Sequence, residues 1–136
     1  MADPRVEALR DFELFETLGR RELQRIADGL SERSFPAGTA VAREGEVGVG
    51  FFLIDDGRAS VTIDGREVGR LGPGDHFGEI SLILDTPRTA TVTAETDLRC
   101  WGMRSWEFRR LVETNAAISW KVLESTALKL RDAQRP

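Results

Sequence analysis

The chain has 136 residues, 40% of them hydrophobic, the size and composition of one domain with a core of its own. A net charge of −4 argues against direct nucleic-acid binding, and a single cysteine, Cys100, excludes an internal disulfide. No basic-then-apolar leader opens the chain, and no apolar run approaches the roughly 18 residues of a membrane span, so the expected location is the cytoplasm.

Residues 1–30 read as helical. Leu9, Phe12, Phe15 and Leu18 recur every third residue, a spacing for short helical turns packing inward. Gly19 interrupts them, and Arg20 to Leu30 restarts the pattern with Leu23, Ile26, Ala27 and Leu30 on one face.

Residues 31–103 read as short strands punctuated by glycines. Phe51 to Ile54 is an apolar run closed by Asp55-Asp56-Gly57. Val61-Thr62-Ile63 meets Asp64-Gly65, a two-residue hairpin signal, and Glu67 to Leu71 returns. Leu71-Gly72-Pro73-Gly74-Asp75 is a further turn, and His76 is expected to belong to it. Thr89 to Ala94 and Leu98 to Met103 are predicted strands, the second holding Cys100 as a buried structural thiol.

Residues 104–136 read as two helices. Ser105 is a candidate cap for Trp106 to Glu113, and Thr114 or Asn115 can start a second helix reaching about Arg131. Its best apolar stripe is Trp120, Leu123, Ala127 and Leu130, expected to pack on its own domain. A homodimer seam through this helix and a cap over a ligand are the alternatives. Helices confined to the two ends predict an α+β fold: a single domain over 1–136 built as an antiparallel, jelly-roll-like β-roll, with a helical N-terminal segment and two C-terminal helices.

Phe77 to Val92 (F-G-E-I-S-L-I-L-D-T-P-R-T-A-T-V) concentrates the chemistry. Glu79 to Leu84 is short for a helix and lacks strand alternation. If it forms a turn or two of helix, its first N–H groups point outward and favour an anion, and Gly78 lets a ligand approach the backbone. Arg88, nine residues past Glu79, can return to the same anion with a two-pronged guanidinium. Glu79 only accepts hydrogen bonds, so it needs a ligand donor such as a ribose hydroxyl. One Arg against one Glu leaves a near-neutral site, suited to a singly charged cyclic phosphodiester.

This segment resembles the phosphate-binding cassette of the cyclic-nucleotide-binding domain family. That family includes catabolite-activator-type regulators, regulatory subunits of cAMP-dependent protein kinase and cyclic-nucleotide-gated channels. Arg43-Glu44-Gly45, Phe51 to Gly57 and Leu71 to Asp75 agree with it, and the resemblance runs from about Leu9 to Leu130. It implies that Glu79 binds the ribose 2′-OH and Arg88 the exocyclic phosphate oxygens. It also implies that the N–H groups of Ile80 and Ser81 meet the phosphate or ribose, that Thr89 lies beside the phosphate near the base, and that the last helix closes over the base. Ser125 and Thr126 are candidate base contacts on that helix.

The expected function is a cAMP sensor, with cGMP the second choice. It is not an enzyme, carries no resident cofactor or metal, and acts on an unseen effector domain or protein. Two readings compete: an interaction or dimerisation module of this fold that has lost its nucleotide, and a cupin-type metal enzyme. The second needs several converging ligands, whereas His76 is the single histidine. Taken singly, Gly78 is a turn glycine, Glu79 a solvated first-turn acid and Arg88 a surface partner for Asp85. Their joint spacing is what points to a ligand.

Overall fold

Two four-stranded antiparallel sheets face one another in the computed structural model, which describes residues 3–48 and 50–134. Of the predicted domain span, Met1, Ala2, Val49, Arg135 and Pro136 lie outside the described residues. Helix α1 (Pro4–Arg10) starts where the Asp3 carboxylate accepts the Arg5 N–H; a single 3₁₀ turn (Glu13–Phe15) and α2 (Arg20–Asp28) follow. The three-residue spacing holds: Leu9, Phe12 and Phe15 are buried, and so are Leu23, Ile26, Ala27 and Leu30.

The strands are β1 (Ser31–Phe35), β2 (Ala40–Ala42), β3 (Gly50–Asp56), β4 (Ala59–Ile63), β5 (Arg66–Leu71), β6 (His76–Phe77), β7 (Thr91–Ala94) and β8 (Leu98–Arg104). Helix α3 (Glu79–Leu84) lies between β6 and β7, and α4 (Ser105–Thr114) and α5 (Ala116–Ala133) end the chain. One sheet runs β1-β8-β3-β6 and the other β2-β7-β4-β5. Asp64-Gly65 makes the predicted hairpin, with both φ positive at 52° and 76°.

Side-chain alternation along β3 divides the core in two. Phe51 and Leu53 turn to the helices, where they join Leu9, Phe15, Leu23, Phe108, Ile118 and Val122. Ile54 turns between the sheets with Ala59, Phe77, Val92, Leu98 and Cys100. Burial pushes the Cys100 thiol up to about 12, and Asp55 adds to the rise. Native protein is therefore expected to resist a thiol-reactive dye at neutral pH and to label rapidly in denaturant. Fast labelling without denaturant would show that the two sheets open.

Four details depart from the sequence reading. The strand expected from Thr89 begins at Thr91, because the Arg88 backbone pairs elsewhere: its N–H donates to Glu46 O and its carbonyl accepts from Gly45 N–H, each at 2.8 Å. Ser105 is the first residue of α4, not its cap; the Glu107 carboxylate reaches back to the Arg104 N–H instead. His76 belongs to β6, where its ring lies 5.3 Å from that of Phe51. The α5 stripe does not pack on the domain: Trp120, Leu123 and Leu130 are exposed, while Ile118 and Val122 are buried. Both faces fit the helical period. The face that won continues from Ile118 and Val122 into Ser125 and Lys129, which find polar partners on the roll.

Candidate functional site

The segment between β6 and β7 carries the chain from one sheet to the other, and so does the segment between β2 and β3. The two crossings run side by side. They are joined by the backbone bonds at Arg88 and by Thr91 Oγ1, which accepts the Glu44 N–H at 3.0 Å. This pairing carries Arg88 inward, leaving it only 9% exposed.

Three neutral oxygens hold the guanidinium. Nη1 donates to Gly78 O at 3.0 Å and to Ser81 Oγ at 2.9 Å, and Nη2 donates to Gly50 O at 2.8 Å. No carboxylate stands within ion-pair distance of Arg88 among the described residues, and Asp85, its simplest predicted partner, is not one. A Cβ at Gly48 would lie 2.5 Å from the Arg88 Cζ, so a side chain there would push the guanidinium from its place. Gly78 has φ 101°, and a Cβ there would meet Gly50 O at 2.6 Å.

Glu79 opens α3 and is 1% exposed, far from the solvated acid a first-turn glutamate usually is. Its Oε1 accepts from Lys129 Nζ of α5. Its Oε2 faces His76 Nδ1 at 3.5 Å, at the outer limit of a hydrogen bond, and has no hydrogen-bond donor among the described residues. The His76 contact is therefore electrostatic and not a hydrogen bond. Burial alone pushes the Glu79 carboxyl up; His76 and the Lys129 ammonium outweigh it and bring the pKa down to about 2. Burial also lowers the pKa of Arg88 and Glu79 raises it, but a guanidinium keeps its charge.

The sign of the Glu79 shift gives a pH dependence. A carboxyl at about 2 when folded, against 4.5 ordinarily, contributes stability fully present above about pH 4.5 and lost as pH falls toward 2. Wild type is expected to lose stability relative to Glu79→Gln across that window in denaturant titrations. A difference independent of pH would show that this carboxyl does not titrate low.

The structure brings Gly78, Glu79, Ser81 and Arg88 together. Ile80 is partly exposed on the first turn of α3, where the backbone N–H groups have no intrahelical partner, and Thr89 is exposed beside Arg88. Ser125 Oγ lies 3.3 Å from His76 Nε2, while Thr126 Oγ1 donates back to Val122 O at 2.8 Å and so serves its own helix. Sequence reasoning missed Gly48, Gly50, His76 and Lys129. Lys129 stands one helical turn past Ser125, and that spacing was the available signal. A separate concavity of about 710 Å³ lies between α2 and α4 with Glu22, Arg25, Glu107 and Arg110 in its walls; the buried charges are at the cassette instead. Among the described residues no helix is long and apolar enough to cross a membrane, and no group of three or more His, Cys, Asp or Glu could hold a metal ion.

A family model described as the cyclic nucleotide-binding domain matches residues 32–115. The cAMP-dependent protein kinase regulatory subunit of Yarrowia lipolytica is 41% identical over 106 residues, 76% of this chain and 28% of that protein. The chain thus spans little more than a quarter of this relative's length. The regulatory domain of Toxoplasma gondii PKA, co-crystallised with cAMP, is similar at a TM-score of 0.81 and 25% identity, covering 90% of this chain and 49% of that one. The regulatory subunit of a cAMP-independent protein kinase A from Trypanosoma brucei is as similar, with a TM-score of 0.81 and 25% identity over 92% of this chain and 46% of that one.

Proposed function

The chain belongs to the cyclic nucleotide-binding domain family, and from that premise we propose that it binds cAMP in preference to cGMP and passes its occupancy to an effector domain or protein. The observation that carries the ligand class is Arg88: a buried cation, oriented by three neutral oxygens and lacking a carboxylate partner among the described residues. Keeping such a charge out of water is costly unless an anion is to be met there. Beside it, Glu79 Oε2 is a buried acceptor without a donor, which a ribose 2′-OH supplies. The N–H groups of Ile80 and Ser81, at the start of α3, are the further donors in this reading, and Thr89 lies on the base side.

The preference for cAMP rests on the relatives, one named a cAMP-dependent kinase regulatory subunit and one crystallised with cAMP. The Trypanosoma brucei subunit belongs to a kinase named cAMP-independent and is as similar in fold, so likeness of fold alone does not support the preference. The site residues and not the roll therefore support nucleotide binding. Output through α5 suits its exposed Trp120, Leu123 and Leu130, which offer a surface to the effector or to a second copy.

Calorimetry with cAMP, cGMP and AMP tests the proposal. The expected order is cAMP, then cGMP, with AMP far weaker because the single guanidinium of Arg88 suits a phosphodiester's one negative charge. Absence of heat with either cyclic nucleotide, from folded protein, would leave the interaction-module reading in its place. Glu79→Gln is expected to shrink the preference for cAMP over 2′-deoxy-cAMP by about 10- to 100-fold, the range for a hydrogen bond to a charged group. An unaltered preference would refute the role of Glu79.

A further inference from the structure

Two buried polar atoms at the start of the cassette lack a hydrogen-bond partner among the described residues, and they face each other: His76 Nδ1 and Glu79 Oε2, 3.5 Å apart. Buried polar atoms are seldom left this way, so each calls for a reason. The other ring nitrogen supplies one. His76 Nε2 lies 3.3 Å from Ser125 Oγ of α5. A neutral imidazole carries its proton on one nitrogen, and the bond made by the other decides which. A carboxylate oxygen can only accept, so the nitrogen that faces it is the one to carry the proton. Nε2 is then the acceptor and the Ser125 hydroxyl the donor. The hydrogens run in one direction, from α5 through β6 to the first residue of α3.

The ring is itself well held. His76 stands opposite Leu53 of β3, its ring centroid is 5.3 Å from that of Phe51, and 12% of its side chain is exposed. The Glu79 carboxylate is softer, because rotation about its last bond is broad. Lys129 meets Oε1 from a side chain 44% exposed, and one contact at one oxygen does not fix the plane. The Nδ1–H dipole facing Oε2 is a second restraint, from a different element. It leaves Oε2 a further lone-pair site for a ligand donor.

We propose that His76 is a positioning residue for ribose recognition: Ser125 fixes the ring as the Nδ1–H tautomer, and the ring holds the plane of the Glu79 carboxylate. This rests on the assignment of Glu79 to the ribose 2′-OH. What His76 contributes is realised through Glu79, so a ligand with that hydroxyl feels it and a ligand without it does not. Ser125 thereby serves the sugar side of the site through the ring, with no contact to the base required.

His76 is the single histidine, so the nitrogen resonances of a histidine-labelled sample report this ring alone. At alkaline pH and without nucleotide, the expected state is a protonated Nδ1 and a bare, accepting Nε2, and Ser125→Ala is expected to mix the tautomers. An Nδ1 without a proton would overturn the arrangement. Calorimetry with cAMP and 2′-deoxy-cAMP tests the role. His76→Phe, which keeps an aromatic ring beside Phe51, is expected to shrink the preference for cAMP by about 2- to 10-fold, the worth of one ordinary hydrogen bond. His76→Asn is expected to keep most of the preference, because its amide N–H can stand where Nδ1–H stood. In a Glu79→Gln background, His76→Phe is expected to change the preference no further. Equal losses for the two nucleotides in His76→Phe would overturn the positioning role and leave His76 a packing residue. No cyclic-nucleotide heat from wild type would overturn the sugar role by removing the reading on which it rests, and the ring tautomer would still show whether Ser125, His76 and Glu79 are so arranged.

Discussion

Arg88→Ala is expected to weaken cAMP binding by about 30- to 5,000-fold, the range that corresponds to the 2–5 kcal/mol lost when one partner of a buried, hydrogen-bonded charge pair is removed. The guanidinium lies between α3 and the β2–β3 crossing, so its loss has a structural side as well. Gly78 O, Gly50 O and Ser81 Oγ would each lose a donor, and each buried acceptor left unsatisfied costs about 1–3 kcal/mol unless water reaches it. Arg88→Lys separates the two effects. It restores a positive charge to the pocket but cannot present the planar fork that the proposed pairing with two phosphate oxygens needs while also holding the two carbonyls. Expected for Arg88→Lys is a smaller loss of stability in denaturant than for Arg88→Ala, with most of the binding loss retained. If Arg88→Lys bound as wild type does, charge alone would suffice and the fork geometry would have no role.

The same three contacts mark how far the sequence could be read. The cassette was legible as a string because its elements are local: a glycine, a short helix, a turn and an arginine within twelve residues of one another. The roll was legible because alternation, Asp64-Gly65 and the β-branched runs act over short distances. What holds Arg88 is not local. Gly50 O and the loop at Gly48 come from about forty residues earlier, and nothing in the spacing of those glycines distinguishes a close approach from an ordinary turn. The start of β7 was misplaced for the same reason, since Thr89 has strand propensity but its neighbour's backbone is bonded to the other crossing. On α5 the sequence offered two faces of similar periodicity. The more apolar one was the natural choice, and the domain used the other, because a stripe of Ile118, Val122, Ser125 and Lys129 serves both the helical core and the cassette. Lys129 could be singled out only once Glu79 was known to be buried and in need of a cation.

Gly78→Ala tests whether this assembly is rigid. The residue sits at φ 101° and ψ −9°, where a side chain is strained. The added Cβ would lie 2.6 Å from Gly50 O and 2.8 Å from Arg88 Nη1. The guanidinium could move aside. Gly50 O cannot move easily, because Gly50 begins β3 and is registered against Arg104 of β8 in the first sheet. Backbone strain and the clash together are expected to cost about 2–4 kcal/mol of stability. Any relaxation must shift Gly78 O or Gly50 O, and both orient Arg88, so cAMP affinity is expected to fall as well even though no ligand-contacting side chain has changed. Gly72→Ala is the matched control: a Cβ there meets nothing within 4 Å, and its effect is expected to stay within about 0.5 kcal/mol. Chemical denaturation and calorimetry on both variants decide the matter. A Gly78→Ala protein as stable as Gly72→Ala, with binding intact, would mean that the start of α3 yields at little cost. The positioning of Arg88 would then have to come from the backbone bonds at Gly45 and Glu46 and not from the carbonyls it faces.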